Sequence, residues 1–342
     1  MFDLAALYNC IQNKVHSPVA IVLGSPQQAA ALVGLCPKGE IVAYQQDLHQ
    51  AGRLREELSL ADLTASVETK PDLWDLPAEF QTVLFPVPMH SERELKLDLL
   101  DQSQHILKPN GLLIALSEYR RDDLMPKAIK KVFGKCSETP SSRDGSIFIA
   151  PREKEKRRRR HEVSFHARTG GGPSHSFLSR PGVFSYGRMD DGARALLEVA
   201  EIQPGNAILD LGCGVGTNGI LASDRAGKDA FIAFVDSNVR AIGLTEMNAA
   251  ANGLTNFTCL ATSTMAGLPH ESFDVILANP PYFAASAIAK MFIDGSRPLL
   301  KPDGRFYLVT KQVEHVAPLM VEVFGEVDAY ETRGYAVILA HA

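Results

Sequence analysis

The chain repeats itself at long range, and that repeat restricts its fold more than any other feature. "FQTVLFPVP" at Phe80 lines up with "FDVILANPP" at Phe273, and "LKPNG" at Leu107 with "LKPDG" at Leu300, each pair displaced by 193 positions. "VFG" recurs at Val132 and Val323, and "GSIFIA" ending at Ala150 matches "YAVILA" ending at Ala340. One structural unit therefore occurs twice, and 342 residues suffice for two ordinary domains with a core each.

In the second copy, short Val/Ile/Leu/Phe runs at 207–211, 230–235, 273–278, 305–310 and 336–340 alternate with helical stretches at 238–252 and 284–300. Continuous apolar strands separated by helices predict a parallel sheet covered on both faces, a doubly wound α/β fold. Ligands of such folds collect beyond the carboxyl ends of the strands. "DLGCGVG", "VDSN" and "NPPY" all fall there.

The rest of the composition mainly excludes. Hydrophobic residues at 45% and charged residues at 22% are those of a globular chain, with no apolar run of membrane-spanning length and no basic, apolar leader at the N-terminus. A cytoplasmic protein without a membrane partner is expected. Five scattered cysteines without a C-x-x-C pair suggest neither a disulfide framework nor a zinc site, so no metal is expected. A net charge of −5 argues against a generically basic nucleic-acid binder. One local exception stands out. "PREKEKRRRRH" at 151–161 runs into "TGGGPSHS", whose glycine, proline and serine leave no basis for a packed element, and 151–180 reads as a linker. Its basic run reads either as a phosphate contact or as a solvated connection.

"ILDLGCGVGTNGI" sets Gly212, Gly214 and Gly216 between a strand and a helix, where glycine lets the backbone approach a ligand. A G-x-G-x-G alone is weak. Asp210, two residues before the first glycine, and Asp236, at the end of the next strand and placed to accept from a ribose diol, sharpen it. Both acids also read as caps of turns or helices. A carboxylate beside the loop suits a cationic or zwitterionic ligand better than a pyrophosphate, and S-adenosylmethionine fits that charge.

"DVILANPPYF" leaves an apolar strand directly into two prolines. They fix φ and remove two backbone donors, so the carbonyls of Asn279 and Pro280 are held stiff with no adjacent N–H competing for them. The plain alternative is a rigid turn. His270 and His315 read as surface or capping residues, and no general base is evident.

Together, D-x-G-x-G-x-G, the acid after strand two and N-P-P-Y after strand four resemble class I S-adenosylmethionine-dependent methyltransferases acting on planar amino nitrogens. The resemblance implies that Asn279 and Pro280 accept from the NH₂ and orient it for catalysis. It makes Tyr282 the catalytic stacking plate and gives Pro281, Tyr282 and Phe283 to the substrate wall. It assigns the cofactor to Asp210, Gly212, Gly214, Gly216, Asp236, Ser263, Asn279 and Phe184.

"RPGVFSYGRMDDGARALLEVA" from Arg180, together with the doubled unit, is similar to the bacterial ribosomal RNA guanine-N2 methyltransferases of the methyltransferase small domain group. That likeness adds Ser185, Asp190 and Gly192 as candidates, although Asp190 and Asp191 equally read as an N-cap and first-turn acid. It implies two tandem Rossmann-like domains, each a mainly parallel seven-stranded sheet. The expected division is a degenerate domain at 1–150, the linker at 151–180, and a catalytic domain at 181–342. It also implies ribosomal RNA or a ribosomal subunit as partner and a monomer.

Departures remain. After strand three, "CLATSTMAGL" offers only Thr262 and Ser263 where many such enzymes place an acid. The first copy keeps Gly24 but no further loop glycines and no acid directly at its second strand end, and Phe85-Pro86-Val87-Pro88 stands where Asn-Pro-Pro-Tyr would be. It is expected neither to bind cofactor nor to catalyse. N-P-P-Y also serves glutamine-N5 and adenine-N6 enzymes, and a non-catalytic RNA-binding or ribosome-assembly protein is a third reading.

Overall fold

The computed structural model describes residues 4–76, 79–87, 92–142, 145–154, 157–227, 229–280 and 285–342. The chain divides into two units, Met1–His161 and Glu162–Ala342. The first contains α1 (Leu4–Asn9), β1 (Val19–Val22), α2 (Pro26–Leu35), β2 (Ile41–Gln45), α3 (Leu48–Leu60) and β3 (Ser66–Thr69). It continues with β4 (Phe80–Val87), α4 (Arg93–Ile106), β5 (Leu107–Ser117), α5 (Met125–Phe133), β6 (Ser137–Ser142) and β7 (Gly145–Pro151).

The second unit opens with β8 (Val163–Ala167), β9 (His175–Ser179), α6 (Asp191–Val199), β10 (Ile208–Leu211), α7 (Thr217–Ala226), β11 (Ile232–Asp236) and α8 (Val239–Ala251). Then follow β12 (Phe257–Ala261), β13 (Phe273–Ala278), α9 (Ala285–Ser296), β14 (Leu300–Thr310), α10 (Val313–Phe324), β15 (Val327–Thr332) and β16 (Tyr335–His341).

The two large sheets share one topology. Their orders are β3-β2-β1-β4-β5-β7-β6 and β12-β11-β10-β13-β14-β16-β15, parallel except where β7 and β16 run antiparallel to both neighbours. Even an irregularity is repeated: the register slips between Phe80 and Thr82 in one unit and between Phe273 and Val275 in the other. Those positions stand 193 apart, so the repeat seen in the letters is a repeat of backbone.

Central strands are buried on both faces, which explains their unbroken apolar runs. In the second sheet Ile208, Phe234 and Leu277 join one core and Leu209, Val235 and Ile276 the other. Helix starts are set locally. Ser25 and Gln28 form a capping box on α2, and Asn238 accepts the N–H groups of Arg240 and Ala241 at the head of α8.

The segment 151–180, expected to lack a packed element, contains one. β8 and β9 pair antiparallel, with Phe165 opposite Phe177 and their rings stacked at 5.3 Å. The alternation in "VSFHA" and "HSFLS" buries Phe165, Ala167, Phe177 and Ser179 on one face, and the glycine run supplies the turn. The boundary between units falls inside this segment, before Glu162.

Register compares the two crevices directly. Ile21 occupies in β1 the place that Asp210 occupies in β10, and Gln45 ends β2 where Asp236 ends β11. Pro86 stands at the position of Asn279. Its ring crowds the glycine of the first unit, where a Cβ on Gly24 would lie 2.7 Å from Pro86 Cγ.

Candidate functional site

β10 ends in Leu211, and the chain then turns through Gly212, Gly214 and Gly216, all at positive φ. A Cβ on Gly216 would meet Thr245 Cγ2 at 2.9 Å, whereas one on Gly214 would meet nothing within 4 Å. Gly216 is thus required by packing and Gly214 by backbone conformation. Asp236 fastens the loop to the neighbouring strand. Its Oδ2 accepts the Gly214 N–H at 2.9 Å and its Oδ1 the Asn238 N–H at 2.8 Å.

Asp210 lies wholly buried at the end of β10. Its Oδ2 accepts the N–H of Gly219 at 2.8 Å, a contact that needs α7 to sit close to the sheet. Gly219 permits that approach, since a Cβ there would fall 2.4 Å from the Phe234 ring. The other carboxylate oxygen, Oδ1, is buried without a hydrogen-bond partner. Burial pushes the Asp210 carboxyl up to about 7; the Gly219 N–H and the Asn218 side chain oppose the rise, and the charge of Asp236 adds to it.

β13 carries the chain to Asn279, which is 8% exposed. Its Nδ2 donates to Asp190 Oδ2 at 3.0 Å. Asp190 also caps α6, accepting the Ala193 N–H at 3.2 Å. The N-cap reading of Asp190 is realised, and the same carboxylate oxygen also holds Asn279. Pro280 is buried beside Asn279. Pro281, Tyr282 and Phe283 lie outside the described residues.

These elements enclose a cleft of about 350 Å³, counted out to the surrounding solvent. Phe184, Asp190, Gly212, Gly214, Asn218 and Asn279 line it, along with Arg188 and Cys213. Of the residues expected at the site, Phe184, Ser185, Asp190, Gly212, Gly214 and Asn279 meet in the wall, while Asp210 and Asp236 hold the loop from behind. Ser263 lies outside the cleft lining, one residue beyond Thr262, whose N–H donates to the Asp236 carbonyl at 3.0 Å. Gly192 is buried within α6. Burial raises the Cys213 thiol well above its ordinary value, so it is not a thiolate nucleophile.

Several supports carry no motif. Asn248 of α8 donates to the carbonyls of Leu178 at 3.0 Å and Val215 at 2.9 Å, and accepts the Leu178 N–H at 2.8 Å. One amide thereby joins the hairpin to the glycine loop. Asn252 donates to Ser176 O at 2.9 Å, and the buried Arg240 donates to Pro181 O at 2.6 Å. Asn238 donates to Gly182 O at 2.8 Å. This stitched segment leads to Phe184, a 46% exposed aromatic on the cleft wall. Asn238 and Asn252 are the caps of α8 and readable as such, whereas Asn248 and Arg240 inside the helix carried no signal in the sequence.

The residues present fit a zwitterionic, cationic nucleoside: an open Gly214 backbone and an exposed aromatic line one cleft, and an orphaned buried carboxylate oxygen lies behind the loop that forms its wall. A sheet of this strand order with a glycine loop after its first strand, an acid closing the second and Asn-Pro after the fourth defines a class I S-adenosylmethionine-dependent methyltransferase. The model of the family described as "Methyltransferase small domain" matches residues 174–339. The chain belongs to that family, and S-adenosylmethionine is its cofactor.

The chain is 35% identical over 175 residues to the protein YbxB of Bacillus subtilis, covering 48% of this chain and 85% of that one. It is 34% identical over 156 residues to ribosomal RNA small subunit methyltransferase C of Chromohalobacter salexigens, across 43% of this chain and 45% of the relative. The matched part thus spans under half the length of that relative. In fold it resembles the T. thermophilus 16S rRNA N2 G1207 methyltransferase, solved with AdoMet and guanosine. The TM-score is 0.78 at 22% identity, over 98% of this chain and 91% of that chain. Among the described residues no helix is long and apolar enough to cross a membrane, and no group of three or more His, Cys, Asp or Glu is placed to hold a metal.

Proposed function

We infer that the second unit methylates an exocyclic amino nitrogen, and that the target is guanine N2 of ribosomal RNA. The observation that carries this reading is the Asn279–Asp190 contact at 3.0 Å on the wall of the cleft that the glycine loop also lines. An amide that donates through Nδ2 to a carboxylate presents Oδ1 as its acceptor, which is what a flat NH₂ needs. The carbonyl of Pro280 is the second acceptor, and Tyr282 with Pro281 and Phe283 supplies the stacking wall.

S-adenosylmethionine, when bound, supplies an activated methyl group. The chain's own residues hold and aim the partners. Asp210 and the loop Gly212, Gly214 and Gly216 take the amino-acid end, Asp236 the ribose hydroxyls, Ser263 the adenine edge, and Phe184 covers them. Alignment of a neutral amine in a partly dehydrated cleft accounts for most of the acceleration, without a dedicated base.

The first unit is the degenerate, non-catalytic copy: Ile21, Gln45 and Pro86 stand where Asp210, Asp236 and Asn279 stand in the second. Relatives named as ribosomal RNA methyltransferases favour RNA over a protein glutamine. The test is mass spectrometry of nucleosides from ribosomal RNA or ribosomal subunits treated with the protein and labelled donor. N2-methylguanosine is expected. Label in N6-methyladenosine or in protein overturns the target, and no donor uptake at all leaves only a binding role.

A further inference from the structure

The run Lys154–Arg160 carries six cations and one anion, in a chain whose total charge is −5. Its described residues are tied to the first unit on both sides. Arg152 is buried, its guanidinium donates to the Leu107 carbonyl, and its backbone pairs with Asn110 and Gly111 at 2.9 Å. Further on, Gln104 donates to the Lys154 carbonyl, and the Arg158 guanidinium lies 5.7 Å above the Trp74 ring. His161 Nε2 closes the stretch at 2.6 Å from Asp101 Oδ2. Leu107, Gln104 and Asp101 are met in that order, so the described residues 152–154 and 157–161 follow α4 backwards.

We propose that residues 152–154 and 157–161, laid along α4 with Arg157, Arg159 and Arg160 exposed, form an RNA-phosphate docking rail on the first unit. Exposure of four consecutive arginines, Arg157 to Arg160, is seen directly. Two nearby carboxylates already have partners, Asp101 in the His161 imidazole and Glu153 in the Lys135 ammonium at 2.7 Å. Anchoring matters energetically. A rail fixed at several points loses less chain entropy on meeting a phosphate backbone than a free linker of the same composition. Burial, and then the charges of Arg158 and Arg152, hold His105 below the ordinary histidine value, an internal sign of positive potential on this face. A protein partner would also require an acidic peptide; RNA offers regularly spaced anions and bases for Trp74.

This inference rests on the RNA reading above. The test uses the full chain and a labelled single-stranded guanine-containing RNA, with binding followed against salt. Arg157→Gln/Arg159→Gln lowers the slope of log K against log[salt] by about 1.4, taking about 0.7 for each phosphate contact on a single strand. KM for RNA rises while kcat and donor affinity stay within about twofold, and Arg157→Lys/Arg159→Lys restores the slope. RNA added to the parent protein raises the His105 titration followed by NMR. An unchanged slope and KM in a double variant of a parent that does methylate RNA overturns the rail alone. A parent that neither binds nor methylates RNA overturns both the rail and the target. Binding of an acidic peptide in preference to RNA overturns the rail.

Discussion

Asp190 Oδ2 receives two N–H donors, the Asn279 side-chain amide at 3.0 Å and the Ala193 backbone at 3.2 Å. One carboxylate oxygen therefore couples the start of α6 to the residue that ends β13. Asp190→Ala is expected to cost about 1 kcal/mol of stability through the lost cap and to lower kcat about tenfold by releasing the Asn279 amide. Asp190→Asn still offers an oxygen to both donors and recovers the melt and part of kcat. Thermal melts and single-turnover rates check this. A kcat indifferent to Asp190→Ala ends the positioning role.

Asn279 and Asp236 separate binding from transfer. Asn279→Ala is expected to lower kcat by about 10²–10³, the scale for losing one preorganised hydrogen-bonding group, with donor affinity nearly unchanged. Asp236→Ala weakens donor binding and also frees the Gly214 N–H that Asp236 holds at 2.9 Å. Calorimetry with the donor and steady-state kinetics distinguish them. Equal loss of binding in both variants contradicts the assignment.

Asp210 makes donor binding pH-dependent. A cationic ligand needs the carboxylate, and the ligand-free carboxyl is pushed up to about 7, so affinity falls as pH drops through 7. Stability of the ligand-free protein follows the opposite sign. A carboxyl whose folded value is raised favours folding below its unfolded value near 3.8, and that contribution is lost as pH rises to about 7. Asp210→Asn is therefore expected to melt higher than the parent at pH 8 while binding donor more weakly, with little pH dependence. A variant melting lower at pH 8 would refute the buried-charge argument.

Donor stoichiometry tests the two units against each other. With Ile21, Gln45 and Pro86 in the first crevice, the full chain is expected to take up one S-adenosylmethionine, and Asp210→Ala/Asp236→Ala to weaken that single site severely. Two sites by calorimetry would return the first unit to the list of functional copies.

The fold was legible because periodicity and repetition both act over many residues. Expected strands at 207–211, 230–235 and 273–278 match β10, β11 and β13 to within two residues at each end. Motifs at the ends of those strands were legible too, since proline fixes φ and glycine marks the positive φ that other residues avoid. The hairpin at 163–179 was missed because arginine and glycine content outweighed a two-residue alternation that was present in the letters. Asn248 and Arg240 were invisible for another reason: a polar residue inside a helix announces nothing until a partner such as Leu178 or Pro181 is brought to it. Asp190 was readable as a cap, but its second donor arrives from 89 positions away.

An asparagine placed at 86 alone would leave Ile21 where the second unit has Asp210, and an acid at 21 alone would enter a wholly buried strand without a ligand to offset its charge. Turning the first crevice into a likeness of the second therefore takes coordinated change at 21, 45 and 86, and no single substitution accomplishes it.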